Sequence, residues 1–155
     1  MKRDTAIVHA GINPDPTTGS IIPPIYETAT YVLPEVGRDL GFDYTRSSNP
    51  TRQVLEDNLA AIEGGEHGIS FASGMSAVDT CLKTLNTGDH VVCTDDVYGG
   101  VTRLFNQVLS RHGIGVTYVD SSQPETVRQA VRPETKMLWI ETPTNPLLKV
   151  TDLAA

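Results

Sequence analysis

Several things that would place this chain quickly are scarce in it. It has two cysteines in 155 residues, with no Cys-x-x-Cys pair and no Cys/His cluster. That excludes a disulfide framework and argues against a structural zinc site. Cys81 and Cys93 each sit in an apolar run (Thr80-Cys81-Leu82 and Val91-Val92-Cys93), so both are expected as buried thiols in a reducing compartment. No apolar run reaches membrane-spanning length, and Met1-Lys2-Arg3-Asp4 lacks the core of a signal peptide, so the expected setting is cytoplasmic, away from any membrane. Cations are also short: 12 basic against 19 acidic residues give a net charge of −7. A sequence-blind grip on nucleic acid or on an anionic membrane needs basic surface, so neither is an expected partner. The phosphate signatures GxxxxGK[ST] and GxGxxG are absent. His9, His67, His90 and His112 are scattered and adjoin no carboxylate pair, so no metal site is expected.

What is present is enough apolar side chain, 39 %, for a real core. Disorder as the main state is excluded on that ground. Six of the ten prolines fall before residue 51, at Pro14, Pro16, Pro23, Pro24, Pro34 and Pro50. Proline removes amide donors and blocks helix interiors, so residues 1–50 read as an extended arm. The arm is nonetheless apolar, with Ile21, Ile22, Ile25, Tyr26, Tyr31 and Val32. It therefore wraps its own domain or crosses to a second subunit.

From Asn49 the pattern alternates. Asn49 caps a helix with Pro50 in its first position, and Leu55, Leu59 and Ile62 share one face until Gly64-Gly65 stops it. Strands are expected at 67–71, 90–94, 116–119 and 136–140. Helices are expected at 74–85, 101–109 and 124–131. This spacing argues for βαβ units and a parallel sheet, an α/β fold. Thr151 or Asp152 looks like a cap before a single turn, Leu153-Ala154-Ala155. The chain is accordingly expected to be a piece of a longer protein.

Four stretches could carry chemistry. Phe71-Ala72-Ser73-Gly74-Met75 joins a strand to a helix and presents free amides at the helix's positive end, a phosphate site or a plain tight turn. Gly41 to Arg52 sets Tyr44 and Arg46 beside a helix start. Arg46 could grip a phosphate bidentately, or be an ordinary surface arginine. Asp95-Asp96-Val97-Tyr98-Gly99-Gly100 follows a strand, where loops form the ligand crevice of a parallel sheet. Tyr98 could stack on a flat ring or simply pack, and Asp95 and Asp96 could be solvated charges or caps. Glu141-Thr142-Pro143-Thr144-Asn145-Pro146 follows another strand, and Asn145 could bond a ring hydroxyl or phenolate oxygen. Together they describe a cleft with a phosphate cradle, a stacking ring and a polar contact, which is what a phosphorylated aromatic cofactor needs.

The phrases Tyr-x-Arg-x-x-Asn-Pro-Thr (Tyr44 to Thr51), Phe-Ala-Ser-Gly-Met (Phe71 to Met75), Asp-Val-Tyr-Gly-Gly (Asp96 to Gly100) and Glu-Thr-Pro-Thr-Asn-Pro (Glu141 to Pro146) resemble the trans-sulfuration family. These are the pyridoxal 5'-phosphate enzymes of cysteine and methionine metabolism. The resemblance runs from about Ile7 to the last residue. It implies the fold-type-I, aminotransferase-like large domain: an N-terminal arm over 1–50, and over 51–155 the first part of a mainly parallel sheet with flanking helices.

The resemblance also implies roles. Ser73, Gly74 and Met75 would hold the cofactor phosphate, and Tyr44 and Arg46 would reach the phosphate of a neighbouring subunit's cofactor. Tyr98 would stack on the pyridine ring and help move protons. Asn145 would contact the ring's 3-oxygen, with Glu141 nearby. Arg46, Tyr98 and Arg103 would lie toward the substrate, an amino acid such as cystathionine, a homoserine ester or cysteine. A homodimer or homotetramer with crossing arms follows. The family's Schiff-base lysine, its pyridine-nitrogen aspartate and its carboxylate-binding arginine would lie beyond Ala155. The chain has only Lys2, Lys83, Lys136 and Lys149, and Thr135-Lys136 opens a strand. The 155 residues alone are therefore expected to be inactive.

In the intact enzyme the implied reaction is γ-elimination or γ-replacement, of the cystathionine γ-lyase or γ-synthase type. Methionine γ-lyases commonly carry cysteine where this chain has Gly100, which with Arg103 and Thr144 to Lys149 favours the cystathionine enzymes. An O-acetylhomoserine sulfhydrylase or methionine γ-lyase type stays open. So do a non-catalytic phosphate-binding module and an assembly fragment docking through its arm and sheet edge.

Overall fold

The computed structural model describes residues 2–154. Contacts divide the chain into one compact unit ending at Phe71 and a second beginning at Ala72.

In the first unit, helix α1 spans Arg3–His9, where the proline pattern predicts extended chain. Seven residues are too few to hold as an isolated helix. The contact that secures this one is remote in sequence. The Asn58 side-chain amide donates to the carbonyls of Ala6 (3.3 Å), Ile7 (3.2 Å) and Ala10 (2.8 Å). Helix α2 spans Pro50–Glu63 and starts as its sequence predicts. Asn49 accepts the Thr51 amide at 2.8 Å, Pro50 takes the first helical position, and Gly64 closes the helix at φ 72°. The buried Asn49 amide also lies 3.1 Å from the Tyr26 carbonyl, 3.3 Å from the Tyr31 hydroxyl and 3.2 Å from Thr45 Oγ1. It thereby ties the irregular segment between α1 and α2 to the helix start. The apolar side chains Ile21, Ile22, Ile25, Val32, Val36 and Leu40 of that segment are exposed. Residues 67–71, expected as a strand, form none. The Ser70 amide and hydroxyl instead go to the Glu56 carboxylate at 2.9 and 2.8 Å, so no ladder takes them up.

The second unit opens with helix α3, Gly74–Leu82. Strand β1 (His90–Thr94), helix α4 (Gly99–Gln107), a 3-10 turn (Leu109–His112) and strand β2 (Gly115–Val119) follow, then helix α5 (Pro124–Ala130) and strand β3 (Thr135–Trp139). All pairing is parallel and the spatial order is β2-β1-β3. This is the α/β arrangement the strand–helix alternation predicts. Central β1 is buried along its whole length, which is why apolar residues run without alternation through Val91-Val92-Cys93 at its centre. Register stacks the side chains in rows across one face. Val91 lies beside Val116 and Met137, and Cys93 beside Tyr118 and Trp139. Leu82 of α3 and Val101 and Phe105 of α4 close the core over these rows. Cys81 departs from expectation: it is exposed, on the helix side away from the core, while Cys93 is buried.

Among the described residues no helix is long and apolar enough to cross a membrane, and no group of three or more His, Cys, Asp or Glu could hold a metal ion.

Candidate active site

Strands β1 and β3 are neighbours in space but have β2 between them in sequence. The chain leaves their carboxyl ends in separate loops, and a crevice opens between such loops in a parallel sheet. Here it is a cavity of about 430 Å³ lined by Ser73, Gly74, Met75, Val78, Tyr98, Val101, Trp139 and Glu141.

One wall is the start of α3. Ser73 caps it reciprocally: its hydroxyl accepts the Ser76 amide at 3.2 Å, and Ser76 Oγ accepts the Ser73 amide at 3.2 Å. The amides of Gly74 and Met75 are left without an acceptor among the described residues. They point outward at the positive end of the helix, where an anion is stabilised.

Tyr98, at the N-terminal cap of α4 and half exposed, lines the same cavity. Its backbone amide donates to Glu141 Oε2 at 3.0 Å, which ties the loop after β1 to the loop after β3. Gly100 sets the place of the ring. A Cβ there would stand 2.5 Å from Tyr98 Cε1 and 2.8 Å from Met75 Sδ, so any side chain would displace the ring or the methionine. Behind the wall, burial pushes the Cys93 thiol up to about 12, with the negative charges of Glu141 and Asp95 adding to it. Cys93 is therefore a buried neutral thiol at neutral pH.

The two aspartates after β1 are tied to the loop after β3: Asp95 is an exposed charge held in an ion pair, and Asp96 is a partly buried acceptor. Asp96 Oδ2 accepts the Thr144 hydroxyl and, at 2.9 Å, the Leu147 amide. Asp95 pairs with Lys149 at 2.9 and 3.0 Å, and Lys149 reaches Asp120 at 3.8 Å. The hydrogen bond it donates to Asp95, with Asp120 nearby, raises the Lys149 pKa above its usual value. Asp120 is lowered, chiefly by hydrogen bonds from Ser122. Acidic groups after β1 and β2 therefore hold the 142–149 loop in place.

Ser73, Gly74, Met75, Tyr98 and Glu141 come together around one cavity. Asn145 lies in the loop leading away from β3 but is exposed and not among the lining residues, and Arg103 is exposed on α4. Tyr44 and Arg46 belong to the first unit. There they line a separate concavity of about 550 Å³ with Tyr26, Glu27, Thr28, Ala29, Thr45 and Arg52. The two arginines differ in freedom. Arg52 is committed, donating to the carbonyls of Thr45 (3.0 Å) and Ser47 (2.9 Å). Arg46 has no carboxylate partner among the described residues and sits 5.0 Å over the Tyr44 ring. Sequence reasoning missed Trp139 as a wall residue and Gly100 as the seat of the Tyr98 ring. Register with Cys93 places Trp139, and register is not readable from one strand alone.

The chemistry of this set fits a phosphorylated flat ring. Free helix-start amides and the Ser73 hydroxyl face one end, an aromatic ring forms a side, and the cavity is of small-ligand size.

Comparison with known proteins agrees with that chemistry. Residues 4–155 match the family model described as Cys/Met metabolism PLP-dependent enzyme. A probable cystathionine gamma-synthase of Herpetosiphon aurantiacus is 48 % identical over 97 % of this chain and 47 % of its own length. A cystathionine beta-lyase of Coxiella burnetii is 50 % identical over 97 % of this chain and 39 % of its own. The crystal structure of cystathionine gamma-lyase from Lactobacillus plantarum, complexed with L-serine, superposes with a TM-score of 0.91 at 42 % identity, covering 99 % of this chain and 40 % of that one. The chain spans less than half the length of these relatives.

Proposed function

Because this chain belongs to the Cys/Met metabolism PLP-dependent enzymes, we propose that the whole protein breaks or exchanges a carbon–sulfur bond of a sulfur amino acid, by γ-elimination or γ-replacement on a cystathionine-type substrate. The observation that carries this reading is the single cavity joining the free amides of Gly74 and Met75 to the Tyr98 ring and Glu141.

In this reading the Gly74 and Met75 amides and the Ser73 hydroxyl bind the cofactor phosphate. The Tyr98 ring covers one face of the pyridine, and its hydroxyl takes or returns a proton at the substrate. Glu141 orients Tyr98 through its backbone amide. Asn145 meets the ring's 3-oxygen from the 142–149 loop, and Arg103 lies toward the substrate. Tyr44 and Arg46, in the N-terminal unit, reach the phosphate or substrate of a partner subunit. That role suits an arginine with no carboxylate partner and an arm whose isoleucines are exposed. A homodimer or homotetramer in the cytoplasm follows. Bound in the cavity, the cofactor supplies an electron sink that lowers the barrier to removing the substrate's α proton.

None of the four lysines lines the cavity. Lys149 is held by Asp95, Lys83 is paired with Asp79 at 2.6 Å, and Lys136 is exposed on β3. Residues 1–155 alone therefore form cofactor walls without the amine that would join it, and we expect them to be inactive by themselves.

A relative named cystathionine beta-lyase, as similar as the gamma enzymes, makes β-elimination a specific second reading. Product analysis decides. The whole protein with cystathionine is expected to release cysteine, 2-oxobutyrate and ammonia. Homocysteine, pyruvate and ammonia would establish the β reading. No carbon–sulfur cleavage or exchange with cystathionine, a homoserine ester or cysteine would refute both.

A further inference from the structure

We propose that Asp96 is a positioning residue for Asn145. The inference rests on the site reading above, and nothing in that reading uses Asp96. One carboxylate oxygen, Oδ2, accepts from the Thr144 hydroxyl and from the Leu147 amide, the latter at 2.9 Å. These donors stand immediately before Asn145 and two residues after it, so a single atom brackets the asparagine.

The bracket is closed on its other side by the same threonine. Thr144 is 1 % exposed, and its hydroxyl, while donating to Asp96, accepts the Lys149 amide at 2.8 Å. Its backbone amide donates to the Lys149 carbonyl at 2.9 Å, and its carbonyl accepts the Leu148 amide at 3.1 Å. All of Thr144's polar groups are thus occupied by Asp96 and by residues 148–149. Asn145, the next residue, is exposed, and no hydrogen bond of its side chain is present among the described residues. The loop is held by its neighbours so that the asparagine amide stays free to meet a ligand.

Asp96 is also two residues before Tyr98, whose amide is held by Glu141. The segment that carries the stacking ring and the segment that carries the asparagine are therefore bound twice, at Asp96–Thr144/Leu147 and at Tyr98–Glu141. The spacing between the face and the edge of a bound ring is set by these contacts, before any ligand arrives. Preorganised donors of this kind lose no ordering entropy on binding.

The chemistry makes a sharp test possible, because both bonds end on one oxygen. Asp96→Asn keeps an acceptor oxygen and removes the charge, whereas Asp96→Ala removes both bonds. Thr144→Ser keeps the hydroxyl, whereas Thr144→Val keeps the shape and loses it. In the whole protein, the dissociation constant for pyridoxal 5'-phosphate, the pH dependence of the bound cofactor's visible absorbance and hydrogen exchange of the 142–149 peptide are measured for each variant. Asp96→Ala and Thr144→Val should speed exchange in 142–149 but not in 74–82, weaken cofactor binding about tenfold, as loss of one or two hydrogen bonds implies, and shift the absorbance profile in the same direction as Asn145→Ala, measured alongside. Asp96→Asn and Thr144→Ser should stay near wild type.

Faster exchange with unchanged affinity and absorbance would mean that Asp96 only stabilises the loop, and would overturn the inference. So would unchanged exchange in Asp96→Ala. A protein that binds the cofactor but ignores Asp96→Ala overturns this inference alone. A wild-type protein that takes up no cofactor overturns the proposed function and this inference with it.

Discussion

Gly100 offers the most direct mechanical probe of the cavity. Its α4 position needs no unusual backbone, so Gly100→Ala perturbs through one methyl group alone. That carbon would sit 2.5 Å from Tyr98 Cε1 and 2.8 Å from Met75 Sδ. Carbon pairs settle near ~3.5–4.0 Å, so the ring must move by about 1 Å or more. Tyr98 is 48 % exposed and Met75 is a flexible thioether, so both can yield without opening the core. Overpacking of roughly 1–3 kcal/mol is offset by a helix-propensity gain of about 1 kcal/mol, with much of the strain relieved at the surface. The net change in stability should be below about 1 kcal/mol. Cofactor binding should suffer more. Losing an aromatic stack of about 0.5–1.5 kcal/mol weakens affinity about 2- to 13-fold. Titration of the whole protein with pyridoxal 5'-phosphate, followed by quenching of the fluorescence of Trp139 in the cavity wall, reads this directly. Gly99→Ala is the control: its Cβ would meet only Arg103 Nη1, at 3.9 Å, so stability should hold or rise with affinity unchanged. Wild-type affinity in Gly100→Ala would refute the claim that Gly100 seats the ring.

Asn49→Ala should destabilise the N-terminal unit by about 1–3 kcal/mol in chemical denaturation, since it removes a helix cap and the bonds its amide donates to partly buried acceptors. His90 is fully buried, with its ring nitrogens 2.8 Å from Thr135 Oγ1 and 2.9 Å from Thr117 Oγ1. Burial, aided by Arg132, lowers its pKa below 6.5. The unfolded chain protonates there first, so this contribution to stability is whole above pH 6.5 and declines as pH falls below it. His90→Gln should flatten that acid slope in denaturant midpoints measured between pH 7 and 5. Native alkylation followed by mass spectrometry should label Cys81 and spare Cys93, with both labelled in denaturant.

Sheet and crossovers were legible because local signals agreed with the fold. The Val91-Val92-Cys93 run becomes the buried central strand, and Asn49-Pro50 and Gly64 bound α2 where they stand. Failures trace to partners far away in sequence. Helix α1 depends on an amide donated by Asn58, and residues 67–71 lose their ladder role because Glu56 takes the Ser70 donors. Cys81 lies in an apolar run but on the outer side of α3, a matter of helical phase that a three-residue window does not resolve. At the site, the Gly-containing turn before α3 pointed to Gly74 and Met75 although residues 67–71 form no strand, and the loop after β1 pointed to Tyr98. The roles of Asp96, Gly100 and Trp139 arise only when separate loops meet, through register and close approach. The resemblance of four short motifs supplied a cofactor identity that physical reading of the same loops reached only as a phosphorylated aromatic ring.

Most decisive is a crystal structure of the whole protein grown with pyridoxal 5'-phosphate. The phosphate oxygens should lie about 2.9 Å from the Gly74 and Met75 amides, with the pyridine ring against Tyr98 and a partner subunit's Arg46 reaching the same phosphate. A phosphate bound away from the start of α3, or a Tyr98 ring facing no cofactor, would contradict the proposed site.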